Sequence, residues 1–70
     1  MRIFGIDPGS TVTGFGVVEK RRGRLHFVQA GFIKTHSKQP IGERLNAIHK
    51  GLVEAISTHT PDEIAIESIF

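Results

Sequence analysis

Residues 2–10 read Arg2-Ile3-Phe4-Gly5-Ile6-Asp7-Pro8-Gly9-Ser10, a short apolar run that ends on one carboxylate. Apolar runs of this length, rich in isoleucine and bounded by turn residues, are typical of buried β-strands. Pro8 restricts Asp7 to extended backbone geometry, so the strand continues through the acid. Gly9 then permits the sharp reversal that a hairpin needs. An acid at the inner end of such a strand calls for a partner, because carboxylates are rarely buried alone.

The end of the chain repeats this pattern, since residues 63–70 read Glu-Ile-Ala-Ile-Glu-Ser-Ile-Phe. Side chains alternate between the two faces of a strand, so a match of Asp7 to Glu67 also matches Gly5 to Ala65. Parallel neighbours lie about 4.8 Å apart, close enough for two carboxylates to share one or two divalent ions. Without a metal the acids would repel each other. The alternative is that each acid caps its strand in solvent.

Two further strands and a tight turn follow the first strand. Residues 13–19 predict a second strand, and its Gly14 and Gly16 share a face that another group can approach closely. Residues 20–24 predict a turn, and residues 25–33 predict a third strand. Two tight connections imply an antiparallel meander of three strands.

A helix separates this meander from the last strand. Pro40 suits a first helical position, and Pro61 marks the exit from the helix. Gly51 is a defect of about 1 kcal/mol relative to alanine, which close packing on the sheet would explain. A helical crossover lets the fourth strand lie parallel to the first, so we predict a mixed α/β sheet. Apolar residues recur at spacings of three and four along the helix: Ile41, Leu45, Ile48, Leu52 and Ile56.

The charge balance is mildly basic, with nine Lys and Arg residues against seven Asp and Glu residues. Four cations fall in the predicted turn, and they either contact a DNA backbone or form a solvated hairpin tip without a partner. They are Lys20, Arg21, Arg22 and Arg24.

The histidines lack ligand spacing, and the absence of cysteine excludes a thiolate zinc site and a disulfide framework. No signal peptide and no apolar stretch long enough to span a membrane is present, so we expect a cytoplasmic location.

In their order along the chain, several motifs resemble the N-terminal part of the RuvC family of Holliday junction resolvases. They are the Ile-Asp-Pro-Gly-Ser run of residues 6–10, the Thr-Gly-Phe-Gly-Val run of residues 13–17, Glu43-Arg44-Leu45 with Ile48, Pro61-Asp62, and residues 65–70. The resemblance implies an RNase H-like fold, with residues 1–70 as the N-terminal part of one nuclease domain and the sheet incomplete. It places Asp7 and Glu67 on the first two metal-binding catalytic acids. It places Phe70 on an aromatic near the junction bases, and the remaining ligands on a later helix.

The resemblance also implies a reaction and its partners. The expected enzyme is a crossover junction endodeoxyribonuclease of recombination and repair, which hydrolyses phosphodiesters in four-way DNA junctions with two Mg²⁺ ions, or Mn²⁺ in their place. It implies a homodimer, a branch-migration helicase complex and no membrane partner. Asp7 is expected to bridge the ions and Glu67 to hold one of them. The 70 residues alone are not expected to cleave DNA.

Two alternatives remain at this point. A YqgF-like nuclease acting on RNA would share the fold and the first acid. An actin-like ATPase or sugar kinase would use a similar strand, ending in aspartate-x-glycine, to hold ATP phosphates. Glu67 on the fourth strand, with Phe70 after it, favours the DNA nuclease.

Overall fold

The computed structural model describes residues 1–9 and 11–66. Its elements follow the predicted order of three strands, one helix and a fourth strand. They are β1 (Arg2–Asp7), β2 (Val12–Arg21), β3 (Arg24–Lys34), α1 (Ile41–His59) and β4 (Glu63–Ile66). Within the described ranges, no helix is both long and apolar enough to cross a membrane.

The four strands form one mixed sheet in the order β3-β2-β1-β4. β1 and β2 are antiparallel, as are β2 and β3, whereas β4 lies parallel to β1. Gly5 pairs with Ala65, which confirms the register expected from the sequence. Asp7 belongs to β1, and the Glu67 half of the expected acid pair lies outside the described residues.

The core lies between the sheet and α1. Phe4 and Val17 are fully buried and Ile6 nearly so, with Leu52 and Ile56 of the helix packed against them. The Phe4 ring stacks on that of Phe15, with 5.2 Å between ring centroids. The helix therefore packs on part of one sheet face, while the alternate residues of β1 and β2 point to the other face, which we call the open face.

The hairpin between β2 and β3 is tighter than the predicted turn of residues 20–24, which is wrong in its extent. The strands run to Arg21 and from Arg24, leaving only Arg22 and Gly23 as the connection. Their φ angles are 50° and 75°. Two-residue connections with both φ angles positive match the twist of the flanking strands, so the ladder extends to the tip.

A β-bulge interrupts the pairing of β2 with β3. Val18 pairs with Phe27 but Val17 pairs with Gln29, so Val28 is the extra residue. An extra residue reverses the in-and-out alternation beyond it. As a result Phe32 lies opposite Gly14, on the open face.

The start of β1 is tied to the end of α1 by Arg2. Its guanidinium donates to the carbonyl oxygen of His59 at 3.1 Å, and its Nε lies 3.4 Å from Glu19 Oε2. Its backbone N–H donates to Asp62 Oδ2 at 2.7 Å, and the Asp62 N–H donates back to the Arg2 carbonyl at 2.8 Å. These contacts position the chain to enter β4 in register with β1.

The helix begins one residue later than predicted. Pro40 is its N-cap, with φ −54° and ψ 143°, and not its first helical residue. The extended ψ angle is incompatible with a helical position.

Gly51 packs closely on the sheet, as its sequence position suggested. A Cβ added there would lie 2.6 Å from Ile33 Cδ1 and 2.8 Å from Ile33 Cγ1. We expect Gly51→Ala to destabilise the fold by about 1 kcal/mol, because overpacking outweighs the gain in helix propensity. Gly42→Ala is the control, since its Cβ would meet nothing within 4 Å, and it should be neutral or stabilising. Urea unfolding measures both, and a stabilised Gly51→Ala protein would contradict the close packing.

Candidate active site

Asp7 lies at the end of β1 on the open face, and its side chain is exposed. Within the described ranges its carboxylate makes no hydrogen bond or ion pair, so both oxygens are available to a ligand from solution. A Cβ placed on Gly14, the β2 partner of Asp7, would lie 3.9 Å from the Cβ of Asp7. The cross-strand neighbour of Asp7 on β2 therefore has no side chain that could cover the carboxylate.

Small residues make a trough next to Asp7. Gly5 pairs with Gly16 on one side and with Ala65 on the other, so no long side chain rises from this part of the sheet. A Cβ on Gly16 would meet nothing within 4 Å. The resulting cavity has a volume of about 710 Å³. Its lining includes Gly5, Asp7, Gly14, Gly16, Phe32 and Ala65.

The turn after Asp7 requires glycine for a steric reason. The sequence analysis expected Gly9 to permit the sharp reversal here, and its φ angle is not positive. A Cβ at Gly9 would instead clash with the carbonyl oxygen of Val12. The backbone of Gly9 therefore lies close to that of Val12, the first residue of β2.

An aromatic residue that the sequence analysis did not single out lies in the same row as Asp7. Asp7 pairs with Gly14, which pairs with Phe32, so Phe32 is two strands away on the open face. Phe32 is 63% exposed, and the Lys34 ammonium lies 5.2 Å from the centroid of its ring. The spacing is that of a cation–π contact. This end of the sheet therefore presents a carboxylate, an apolar ring and a cation together.

The predicted basic residues lie at the other end of the sheet. Arg22 at the hairpin tip lies eight positions along the chain from Gly14, which is opposite Asp7. At about 3.3 Å per residue this is roughly 25 Å. The structure therefore does not bring the basic turn and Asp7 together.

Two of the predicted site residues, Glu67 and Phe70, lie outside the described residues. Among residues 1–9 and 11–66, no group of three His, Asp or Glu side chains could hold a metal ion. Asp7 is thus the predicted ligand whose position the structure gives.

A family model described as Crossover junction endodeoxyribonuclease RuvC matches residues 3–70. A relative of that name from Geotalea uraniireducens is 47% identical over all 70 residues, which cover 41% of its length. One from Chromobacterium violaceum is 44% identical over 69 residues, 99% of this chain and 39% of the relative. The chain therefore spans about two fifths of the length of these curated relatives.

Solved structures give the same result. A structure of Thermus thermophilus RuvC matches with a TM-score of 0.85 and 34% identity, covering 97% of this chain and 45% of that one. T. thermophilus RuvC in complex with Holliday junction substrate matches with a TM-score of 0.88 and 32% identity, covering 100% and 46%. A chain of the Aquifex aeolicus PPX-GPPA enzyme, at 16% identity and a TM-score of 0.64 over 94% of this chain and 25% of that one, shares the fold alone. The matches to RuvC favour that family over both alternatives.

Proposed function

The chain belongs to the RuvC family of crossover junction endodeoxyribonucleases, and we propose that it is the N-terminal part of an RNase H-like nuclease domain that resolves four-way DNA junctions. The observation that carries the proposal is the parallel pairing of β1 with β4, Gly5 beside Ala65, next to an exposed Asp7 without a partner in the described chain.

Asp7 and Glu67 are the proposed metal ligands. The exposed carboxylate of Asp7 fits a hard divalent cation such as Mg²⁺, which prefers carboxylate and water oxygens. Two such ions, when bound, activate the attacking water and stabilise the leaving oxygen of the phosphodiester. Asp7 would bridge them and Glu67 would hold one, with Mn²⁺ as an alternative metal. The glycines beside Asp7 leave room for a DNA backbone to reach the acid.

The partners are proposed on the strength of the family. They are four-way junction DNA, a second copy of the chain and a branch-migration helicase complex, in recombination and repair. A homodimer suits a four-way junction because two symmetric sites can cut two strands. We propose a cytoplasmic location on the same ground, since the substrate is chromosomal DNA.

Phe70 is proposed to stack on a base left unpaired at the junction. Stacking of one base on an aromatic ring contributes roughly 1–3 kcal/mol to binding. The resemblance of residues 65–70 to the family motif supports this role. A Phe70→Ala protein that resolves junctions at the parental rate per folded molecule would contradict it.

The proposed function is tested by cleavage of a labelled four-way junction by the full-length protein. We expect two symmetric nicks in Mg²⁺ that DNA ligase can reseal, and no product when a chelator removes the metal. A linear duplex of the same sequence is the control and should be cut far more slowly. Equal cleavage of junction and duplex, or cleavage in the chelator, would overturn the proposal.

A further inference from the structure

The tip of the β2–β3 hairpin holds an arginine in a backbone conformation that other residues adopt more easily. Arg22 has φ 50° and Gly23 has φ 75°. Connections of this kind favour Asn-Gly or Gly-Gly, because glycine has no β-carbon to clash at positive φ and the short polar side chain of asparagine can hydrogen-bond locally there. Folding alone would therefore favour asparagine or glycine at Arg22, and strain of this kind is often retained for a function.

The tip is also a concentrated positive charge. Lys20, Arg21, Arg22 and Arg24 are all exposed, and within the described part of the chain their side chains make no hydrogen bond or ion pair. The acid adjacent in sequence, Glu19, is paired with Arg2. The four charges are thus not neutralised by the sheet that carries them. We call these four residues the cationic tip.

The hairpin fixes the distance of the cationic tip from Asp7. The β2–β3 ladder runs without a break in pairing from Arg21 to Val12 apart from the bulge, and β1 pairs with β2 over its whole length. The separation of roughly 25 Å corresponds to about seven base pairs of duplex, at 3.4 Å per base pair. The Asp7 site and the cationic tip can therefore contact the same substrate only if a duplex arm of that substrate extends over this distance.

We propose that the cationic tip binds the phosphate backbone of a duplex arm about seven base pairs from the phosphate that is cut at the Asp7 site. The inference rests on the proposed function and adds a second, distant contact to it. Contacts of this kind carry no sequence information, so they hold an arm in place without choosing the cleavage sequence. An acidic protein would suit the charge as well, but a tip that binds such a partner would give junction binding that does not depend on arm length.

Binding measurements on the full-length Asp7→Asn protein test the inference without cleavage. Arg22→Asn in this background removes one charge and relieves the strained φ. On a junction with 15-base-pair arms we expect about fivefold to tenfold weaker binding at 0.1 M salt, and a slope of log affinity against log salt flatter by about 0.9. On a junction whose arms are five base pairs closed by loops, affinity should not change. The melting temperature should rise by about 2–5 °C.

Lys50→Gln is the matched control, because it removes one exposed charge from α1, away from the tip. It should alter neither the affinity nor the salt slope. Arg22→Gly and the Arg21→Gln/Arg24→Gln pair serve as second variants should Arg22→Asn fold poorly. An unchanged slope of log affinity against log salt would overturn the inference, as would an equal loss of affinity on short and long arms. In either case, junction binding by the parent protein would still uphold the proposed function. A parent that binds no four-way junction would overturn both.

Discussion

Asparagine in place of Asp7 is expected to lower junction cleavage in Mg²⁺ by about a thousandfold. Metal ions stabilise the charge of the transition state by several kcal/mol, and each 1.36 kcal/mol is a tenfold change in rate. The amide keeps the shape of the side chain and loses the charge that holds the ion. Because Asp7 is exposed and makes no hydrogen bond or ion pair with the described chain, the fold should be unaffected.

Single-turnover cleavage of a labelled junction measures this effect, and binding in Ca²⁺ measures affinity separately. Affinity should be retained, since the substitution removes a negative charge that faces a polyanion. Glu54→Gln is the matched control, because it removes an exposed carboxylate from α1, and it should cleave at the parental rate. Cleavage by Asp7→Asn at that rate would remove Asp7 from the proposed site.

Alanine in place of Phe4 is expected to lower the free energy of unfolding by about 3–5 kcal/mol. Phe4 is fully buried at the centre of the core, stacked on Phe15 and packed against by α1. Its removal leaves a cavity that the rigid sheet cannot close. The loss is a large part of the roughly 5–15 kcal/mol that stabilises a typical domain.

Urea unfolding of the full-length protein measures this loss, and Phe27→Ala is the control. Phe27 is a phenylalanine on the same sheet with 75% of its surface exposed, so its loss should change stability by only about 0.5 kcal/mol. Similar losses for the two variants would show that the core does not lie where the packing of α1 places it.

The topology and the register beside Asp7 were predictable because their signals are local. The small residues Gly5 and Ala65 sit two positions before Asp7 and Glu67, and the period of two along each strand puts them on one face. The pairing of Gly5 with Ala65 confirms the part of that match that lies within the described residues. The helical crossover, which sets β4 parallel to β1, was likewise visible in the apolar spacing of α1.

The contribution of Phe32 and Lys34 was not predictable from the same signals. Their face depends on the bulge at Val28, and a bulge changes pairing without requiring a particular residue in the sequence. The extent of the hairpin was missed because Arg22 is an uncommon residue at positive φ. Polar residues in a β-ribbon that extends past its neighbours resemble a loop in composition, although their backbone is fully paired.

The bulge at Val28 has a consequence for insertions and deletions in this strand. Loss of one residue there would restore simple alternation and exchange the two sets of side chains in the rest of β3. Phe32 would then turn towards the helix, and Ile33 would leave its contact with the α1 backbone at Gly51. A substitution at Val28, unlike a deletion, leaves the number of residues in the strand unchanged. Evolution can therefore vary the identity of this residue far more freely than the length of the strand that contains it.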